Sequence, residues 1–193
     1  MNYLKEIGST FARFDINAFS SANGYFDFPI AIIRNSSYEL MPTRNDNPLN
    51  GVTTLDLARI SRHILGTELL DSPYKIIAAD VNRSGTITSF DVVELRKLIL
   101  GIYDSLPNNT TWRFVPQNFV FPDPTNPFAT SFPEKITEQD VMYSTRNNNF
   151  IAIKIGDVNG SATPGKSGLN EVEQVPKESI RHYVPSSSEG IRH

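Results

Sequence analysis

Two stretches of this chain repeat one another at a fixed distance. Residues 52–66 read VTTLDLARISRHILG and residues 87–101 read ITSFDVVELRKLILG. Laid together, Thr53 falls on Thr88, Asp56 on Asp91 and Ile64-Leu65-Gly66 on Ile99-Leu100-Gly101, at a constant offset of 35 residues. A single short helix is marginal in water, so a loop-plus-helix unit present twice predicts two copies that bury one shared face. Apolar residues recur at helical spacing in each copy: Leu57, Ile60 and Ile64 in the first, Val92, Leu95 and Ile99 in the second. Each helix is expected to stop at a glycine suited to the left-handed C-cap.

The twelve residues Asp80-Val81-Asn82-Arg83-Ser84-Gly85-Thr86-Ile87-Thr88-Ser89-Phe90-Asp91 carry the chemistry. Calcium takes six to eight oxygens, and a loop of the EF-hand type supplies them from positions 1, 3, 5, 7, 9 and 12, with glycine at 6 for the sharp turn. Those positions hold Asp80, Asn82, Ser84, Thr86 (through its carbonyl), Thr88 and Asp91, with Gly85 at 6. A helix cap preceded by an ordinary turn would use some of the same residues. The complete pattern before an amphipathic helix favours calcium, and two carboxylates among neutral oxygens suit weak binding in a calcium-rich extracellular setting.

The first copy fits less well. Counted back from Asp56, positions 1, 3, 5 and 9 hold Asn45, Asn47, Leu49 and Thr53, so a hydrocarbon fills one ligand slot. A register opening at Asp46 places Asn50 at 5 and Gly51 at 6 but Pro48 at 3. Two readings stay open: weak binding through a distorted loop, or asparagine side chains that merely close a turn. A third fragment, Gly156-Asp157-Val158-Asn159-Gly160-Ser161, starts like a calcium loop but has no acidic residue at position 12, which favours an Asx-type turn after a strand.

Around the repeat the pattern is β or irregular. Alternation from Phe11 to Asn17, the turn Asn23-Gly24 before Tyr25-Phe26-Asp27-Phe28, and Tyr38-Glu39-Leu40-Met41-Pro42 predict short strands. Three strands cannot form a two-sheet sandwich alone, so this block either packs on later parts of the chain or is the remnant of a longer domain, the reading favoured here. Residues 103–162 hold many prolines and aromatics and predict an irregular wrap, with Phe150-Ile151-Ala152-Ile153-Lys154-Ile155 as its clearest strand. Residues 163–193 have few large apolar side chains and predict a disordered tail or linker. The expected fold is α+β: a β segment over 1–44, the duplicated loop-helix unit over 45–102, the extension over 103–162 and the tail.

Composition removes whole classes of function. The 18 basic and 21 acidic side chains give a formal charge of −3, with no basic surplus for nucleic acid or an anionic membrane. No run reaches the ~18 apolar residues of a membrane span, and the N-terminus lacks the order of a signal peptide. Without cysteine there is no disulfide, thiolate metal site or cysteine nucleophile, and three scattered histidines make no imidazole site. No serine–histidine–acid arrangement is legible, so the chain reads as not catalytic.

The duplicated unit, with Ala79-Asp80-Val81-Asn82-Arg83-Ser84-Gly85 and its terminal Ile-Leu-Gly, resembles a type I dockerin. Residues 45–56, 70–75, 107–114 and 153–160 are similar to the dockerin-like region of large Bacteroidetes surface proteins. Residues 23–28 and 38–42 resemble the end of the carboxypeptidase-regulatory-type β-sandwich that often precedes it. This resemblance implies a secreted or cell-surface setting, a calcium cofactor on Asp80, Asn82, Ser84, Thr86, Thr88 and Asp91, and a cohesin-like or other surface protein domain as partner. It places partner contacts at Thr54, Leu55, Ser89 and Phe90, with Arg59, Arg62, Glu94 and Lys97 further along the helices. Leu55 and Phe90 are more apolar than the small hydroxyl residues usual there, so they can face a partner or turn into the core. Any polysaccharide breakdown by the parent chain would lie outside these residues.

Three functions are compatible with these features: a calcium-stabilised docking or adhesion module, a rigid calcium-binding spacer, and a glycan-binding accessory module. Exposure of Thr54, Ser89, Arg62 and Lys97 favours docking, and burial under residues 102–160 favours the spacer. Glycan binding would need aromatic platforms from Trp112, Phe114, Tyr103 and Tyr143, for which a place in the core is the commoner fate.

Overall fold

The computed structural model of the chain describes residues 2–7, 15–21, 25, 36–141 and 148–163. The expected turn at Asn23-Gly24, the strand after it, most of the alternation from Phe11 and nearly all of the expected tail lie outside them.

The repeat forms two eleven-residue helices, α1 over Thr54–Ile64 and α3 over Ser89–Ile99. Both begin in the same way. Thr53 and Thr88 are N-caps in extended conformation, each joined in a capping box with the aspartate three residues on. Both end in the same way, with Gly66 and Gly101 at φ +68°. Ile60 and Leu95 are fully buried in the shared core, and Leu57, Val92 and Ile99 pack against it. Ile64 departs from the expected stripe: it sits in the last turn of α1, where the chain turns away at Gly66, and is exposed. Leu98 is buried instead on α3.

A third helix, α2 over Pro73–Ala79, connects the copies. Ser72 caps it by accepting from the N–H of Tyr74 at 3.3 Å, and Pro73 occupies the first turn, where its missing N–H costs nothing. Ile76, Ile77, Ala78 and Ala79 are all buried in succession, and Lys75 is its one charged residue, so this short helix shows no amphipathic period in the sequence.

Among the described residues the strands form two antiparallel sheets. In order of position, β1 (Asn2–Ile7), β2 (Asp15–Ala18), β3 (Ser36–Pro42) and β5 (Ile136–Val141) lie as β2-β1-β3-β5. Residues 136–141 of the extension therefore complete the N-terminal sheet, with Leu40 paired to Ile136 and Glu39 in an ion pair with Lys135. The N-terminal block thus pairs with a later segment of the chain. The second sheet joins β4 (Trp112–Pro116) to β6 (Phe150–Lys154), running from Trp112–Lys154 to Pro116–Phe150.

The extension is packed onto the helices. Phe121 stands edge-on to Tyr74 at 5.7 Å and to Phe119 at 5.0 Å, with Phe132 beside it. Val115, Phe121, Ile153, Ile155 and Val158 join Ile60, Ile77, Leu95 and Leu98 in one core. The main chain just after β6 is held on α2, where Gly156 N–H donates to the Ala78 carbonyl at 2.8 Å.

Candidate metal centre

Helix α2 ends at Ala79 and delivers Asp80; eight residues later Thr88 opens α3. The loop between them closes on two carboxylates. Asp80 Oδ1 accepts from Ser84 N–H at 2.8 Å and Oδ2 from Gly85 N–H at 2.9 Å. Asp91 Oδ1 accepts from Asn82 N–H at 3.1 Å, and its Oδ2 from Thr88 N–H at 2.8 Å. Ser84 Oγ donates to the Thr86 carbonyl at 3.1 Å. The tight path requires left-handed backbone at Arg83 (φ +59°) and Gly85 (φ +75°). All six positions expected to supply oxygens, Asp80, Asn82, Ser84, Thr86, Thr88 and Asp91, are thus in one closed loop.

Its electrostatics are unbalanced. Asp80 and Asp91 are 1% and 0% exposed, and among the described residues neither is ion-paired. Burial raises the Asp80 carboxyl above its ordinary range. The N–H bonds from Gly85 and Ser84 oppose that, the Asp91 charge adds to it, and Arg113 lowers it. The Arg113 guanidinium is itself committed to Glu134 and lies 4.8 Å over the Phe132 ring. Buried carboxylates are stable when paired with a cation, and neutral oxygens from Asn82, Ser84, Thr86 and Thr88 around two carboxylates fit calcium. Among the described residues no group of three or more His, Cys, Asp or Glu comes together, so a site built on carboxylates alone is not present there.

The first copy is placed differently from either contiguous register. Asn45 Oδ1 accepts from Thr111 N–H at 2.9 Å, Asp46 pairs with Arg44, and Asn50 exchanges two hydrogen bonds with the main chain of Thr163. Asn47 bends the chain at φ +44°, its carbonyl accepting from Asn50 N–H. Of the ligands expected there, Thr53 and Asp56 alone keep the places their counterparts hold, with Thr53 N–H donating to Asp56 Oδ2 at 2.9 Å. The other oxygen of Asp56 faces a distant segment and accepts from the N–H groups of Val158 and Asn159 at 3.0 and 3.2 Å.

That segment is the fragment read as an Asx-type turn. The turn is formed: Asp157 Oδ1 accepts from Asn159, Gly160 and Ser161, and Oδ2 from Ala162 at 2.6 Å. What sequence reasoning missed is its proximity to residues 51–56. The available signal was the tripeptide Asp157-Val158-Asn159, which repeats Asp80-Val81-Asn82.

In the first turns of α1 and α3, Thr54, Leu55, Ser89 and Phe90 are exposed, Leu55 at 49% and Phe90 at 72%, so neither apolar residue turns into the core. Arg62 is exposed and paired with Glu68; Glu94 and Lys97 are paired with each other, and Lys97 also reaches the Tyr103 hydroxyl at 3.2 Å. Arg59 is half-buried. The extension leaves Thr54, Ser89 and Arg62 open. Trp112 is buried, with the Arg44 guanidinium 5.1 Å over its ring; Phe114 and Tyr103 are half-buried, and Tyr143 lies outside the described residues. Among the described residues no helix is long and apolar enough to cross a membrane.

No curated protein and no solved structure matches this chain. A family model does: residues 50–100 match the one described as Dockerin type I domain, a stretch that spans α1, α2, α3 and loop 80–91.

Proposed function

We propose that this protein is a calcium-stabilised docking module of a secreted or cell-surface protein, with calcium held by Asp80, Asn82, Ser84, the Thr86 carbonyl, Thr88 and Asp91. The observation that carries this reading is the pair of buried carboxylates Asp80 and Asp91 in one closed loop, neither of them ion-paired among the described residues. Calcium supplies the countercharge there. Asp80 orders the loop's first half through Ser84 and Gly85, while Asp91 ties that half to the start of α3. An ion bound with micromolar affinity at millimolar concentration stabilises the native state by about 4 kcal/mol, a large share of a small domain's margin.

The partner is a cohesin-like domain that meets Thr54, Leu55, Ser89 and Phe90, with Arg59, Arg62, Glu94 and Lys97 further along the helices. Exposure of Thr54, Leu55, Arg62, Ser89 and Phe90 favours docking over a passive spacer. Burial of Trp112 speaks against a glycan platform there. Calorimetric titration of metal-stripped protein with calcium tests the reading. The expected result is saturable binding that raises the melting temperature and loses one equivalent in Asp80→Ala with Asp91→Ala. A wild-type chain that takes up no calcium overturns it.

A further inference from the structure

We infer that the first calcium loop of this protein is split, assembled from residues 157–162 as its opening half and residues 51–56 as its closing half. The inference rests on the calcium reading of loop 80–91, which serves as its internal standard. Set Asp157 on Asp80 and Asp56 on Asp91, and five hydrogen bonds and one left-handed residue recur at the same positions, although Val158 and Gly160 add bonds to Asp56 and Asp157 that loop 80–91 lacks. Position 5 donates to the first carboxylate in both, Ser84 to Asp80 at 2.8 Å and Ser161 to Asp157 at 3.2 Å. Position 6 donates to its other oxygen, Gly85 at 2.9 Å and Ala162 at 2.6 Å. Position 3 donates to the last carboxylate, Asn82 to Asp91 at 3.1 Å and Asn159 to Asp56 at 3.2 Å. Position 9 donates to that carboxylate's second oxygen, Thr88 at 2.8 Å and Thr53 at 2.9 Å. The position 5 hydroxyl donates to the position 7 carbonyl, Ser84 to Thr86 at 3.1 Å and Ser161 to Gly51 at 2.9 Å. Position 4 is left-handed in both, Arg83 at φ +59° and Gly160 at φ +75°.

The break lies between positions 6 and 7. Gly85 and Thr86 are joined by a peptide bond, whereas Ala162 and Gly51 meet only by packing. Their backbones approach so closely that a Cβ on Gly51 would stand 2.3 Å from the Ala162 nitrogen. This arrangement offers the same donors as loop 80–91: carboxylates from Asp157 and Asp56, a side-chain amide from Asn159, hydroxyls from Ser161 and Thr53, and the Gly51 carbonyl. Asp56 and Asp157 are 0% and 7% exposed, and among the described residues neither is ion-paired. Lys154 is close enough for their charge to act on it, but its Nζ donates to the carbonyls of Pro48 and Ile155. The donor set fits calcium on the same grounds as the contiguous loop.

The consequence is a strap. An ion held by both halves would fasten the end of β6 to the start of α1 across about 100 residues of intervening chain, the kind of long closure in which a metal clip removes most chain entropy. The calcium-binding unit then runs to residue 163, well past the stretch matched by the family model.

Counting bound calcium on the full chain by native mass spectrometry tests this. The expected counts are two for wild type, one each for Asp157→Asn and Asp80→Ala, and two for Asp46→Asn. One ion in wild type, lost in Asp80→Ala and kept in Asp157→Asn, overturns the split loop while leaving the calcium reading intact; none in wild type overturns both. Loss of an ion in Asp46→Asn with retention in Asp157→Asn restores a contiguous first loop and also overturns the proposal. Should Asp157→Asn fail to fold, hydrogen exchange on wild type decides: calcium is expected to slow exchange of the 158–162 amides by at least about tenfold, and no slowing there refutes the strap.

Discussion

Asp56 accepts a hydrogen bond from the main-chain N–H of Asn159, 103 residues further along the chain, at 3.2 Å. Its counterpart Asp91 makes the same bond to Asn82, nine residues earlier, at 3.1 Å. One contact is local and the other depends on closing the chain around β4 and β6, so the two copies are expected to respond differently to perturbation.

Gly51→Ala puts a Cβ against the Ala162 backbone at a residue with φ +75°. Gly160→Ala meets the same dihedral with open space around it. A left-handed alanine costs about 1 kcal/mol, so Gly160→Ala should lose that much and Gly51→Ala at least about twice as much. Urea denaturation of both variants in chelator checks the difference.

Asn109 is buried, and its Nδ2 donates to the carbonyls of Asp80 and Val81 at 2.9 and 3.3 Å. Removing the amide leaves those carbonyls without this donor. Asn109→Ala should cost about 1–3 kcal/mol in thermal denaturation and weaken calcium binding at loop 80–91, read by titration.

Lys154 is buried, and burial pushes its ammonium down to about 8. The Asp157, Asp46 and Asp56 charges work against that fall, and Arg44 works with it. Between that value and its unfolded value of 10.5 the unfolded chain binds the extra proton. Stability from this group therefore rises as pH climbs from about 8 toward 10.5, and below 8 the cost of burying the charge is present in full. Lys154→Met should remove that rise; urea midpoints of both proteins at pH 7.5 and about 10 test it.

Leu55→Asp with Phe90→Asp changes two exposed side chains. Stability should move by less than about 0.5 kcal/mol per site, while affinity for a type I cohesin domain should fall at least about tenfold, measured by calorimetry. Unchanged affinity would remove these positions from the partner surface.

The sequence alone determined what is local. The repeat at 52–66 and 87–101, the capping threonines, the glycine stops and the complete pattern at 80–91 depend on residues within a few turns of each other, and their spacing fixes which groups can meet. Helix α2 escaped because its seven residues end in a run of four buried apolar ones, too short to show a period, and Ile64 was misplaced because spacing does not tell where a helix loses its cover. Only the tertiary structure decided how the first copy closes. Asp56 and Asp157 are brought together by β6 pairing with β4 and by Gly156 docking on Ala78, contacts between segments far apart in the chain. No linear register spans them, so a loop that looked defective before Asp56 and a turn that looked incomplete after Asp157 read as two fragments until the chain folded back.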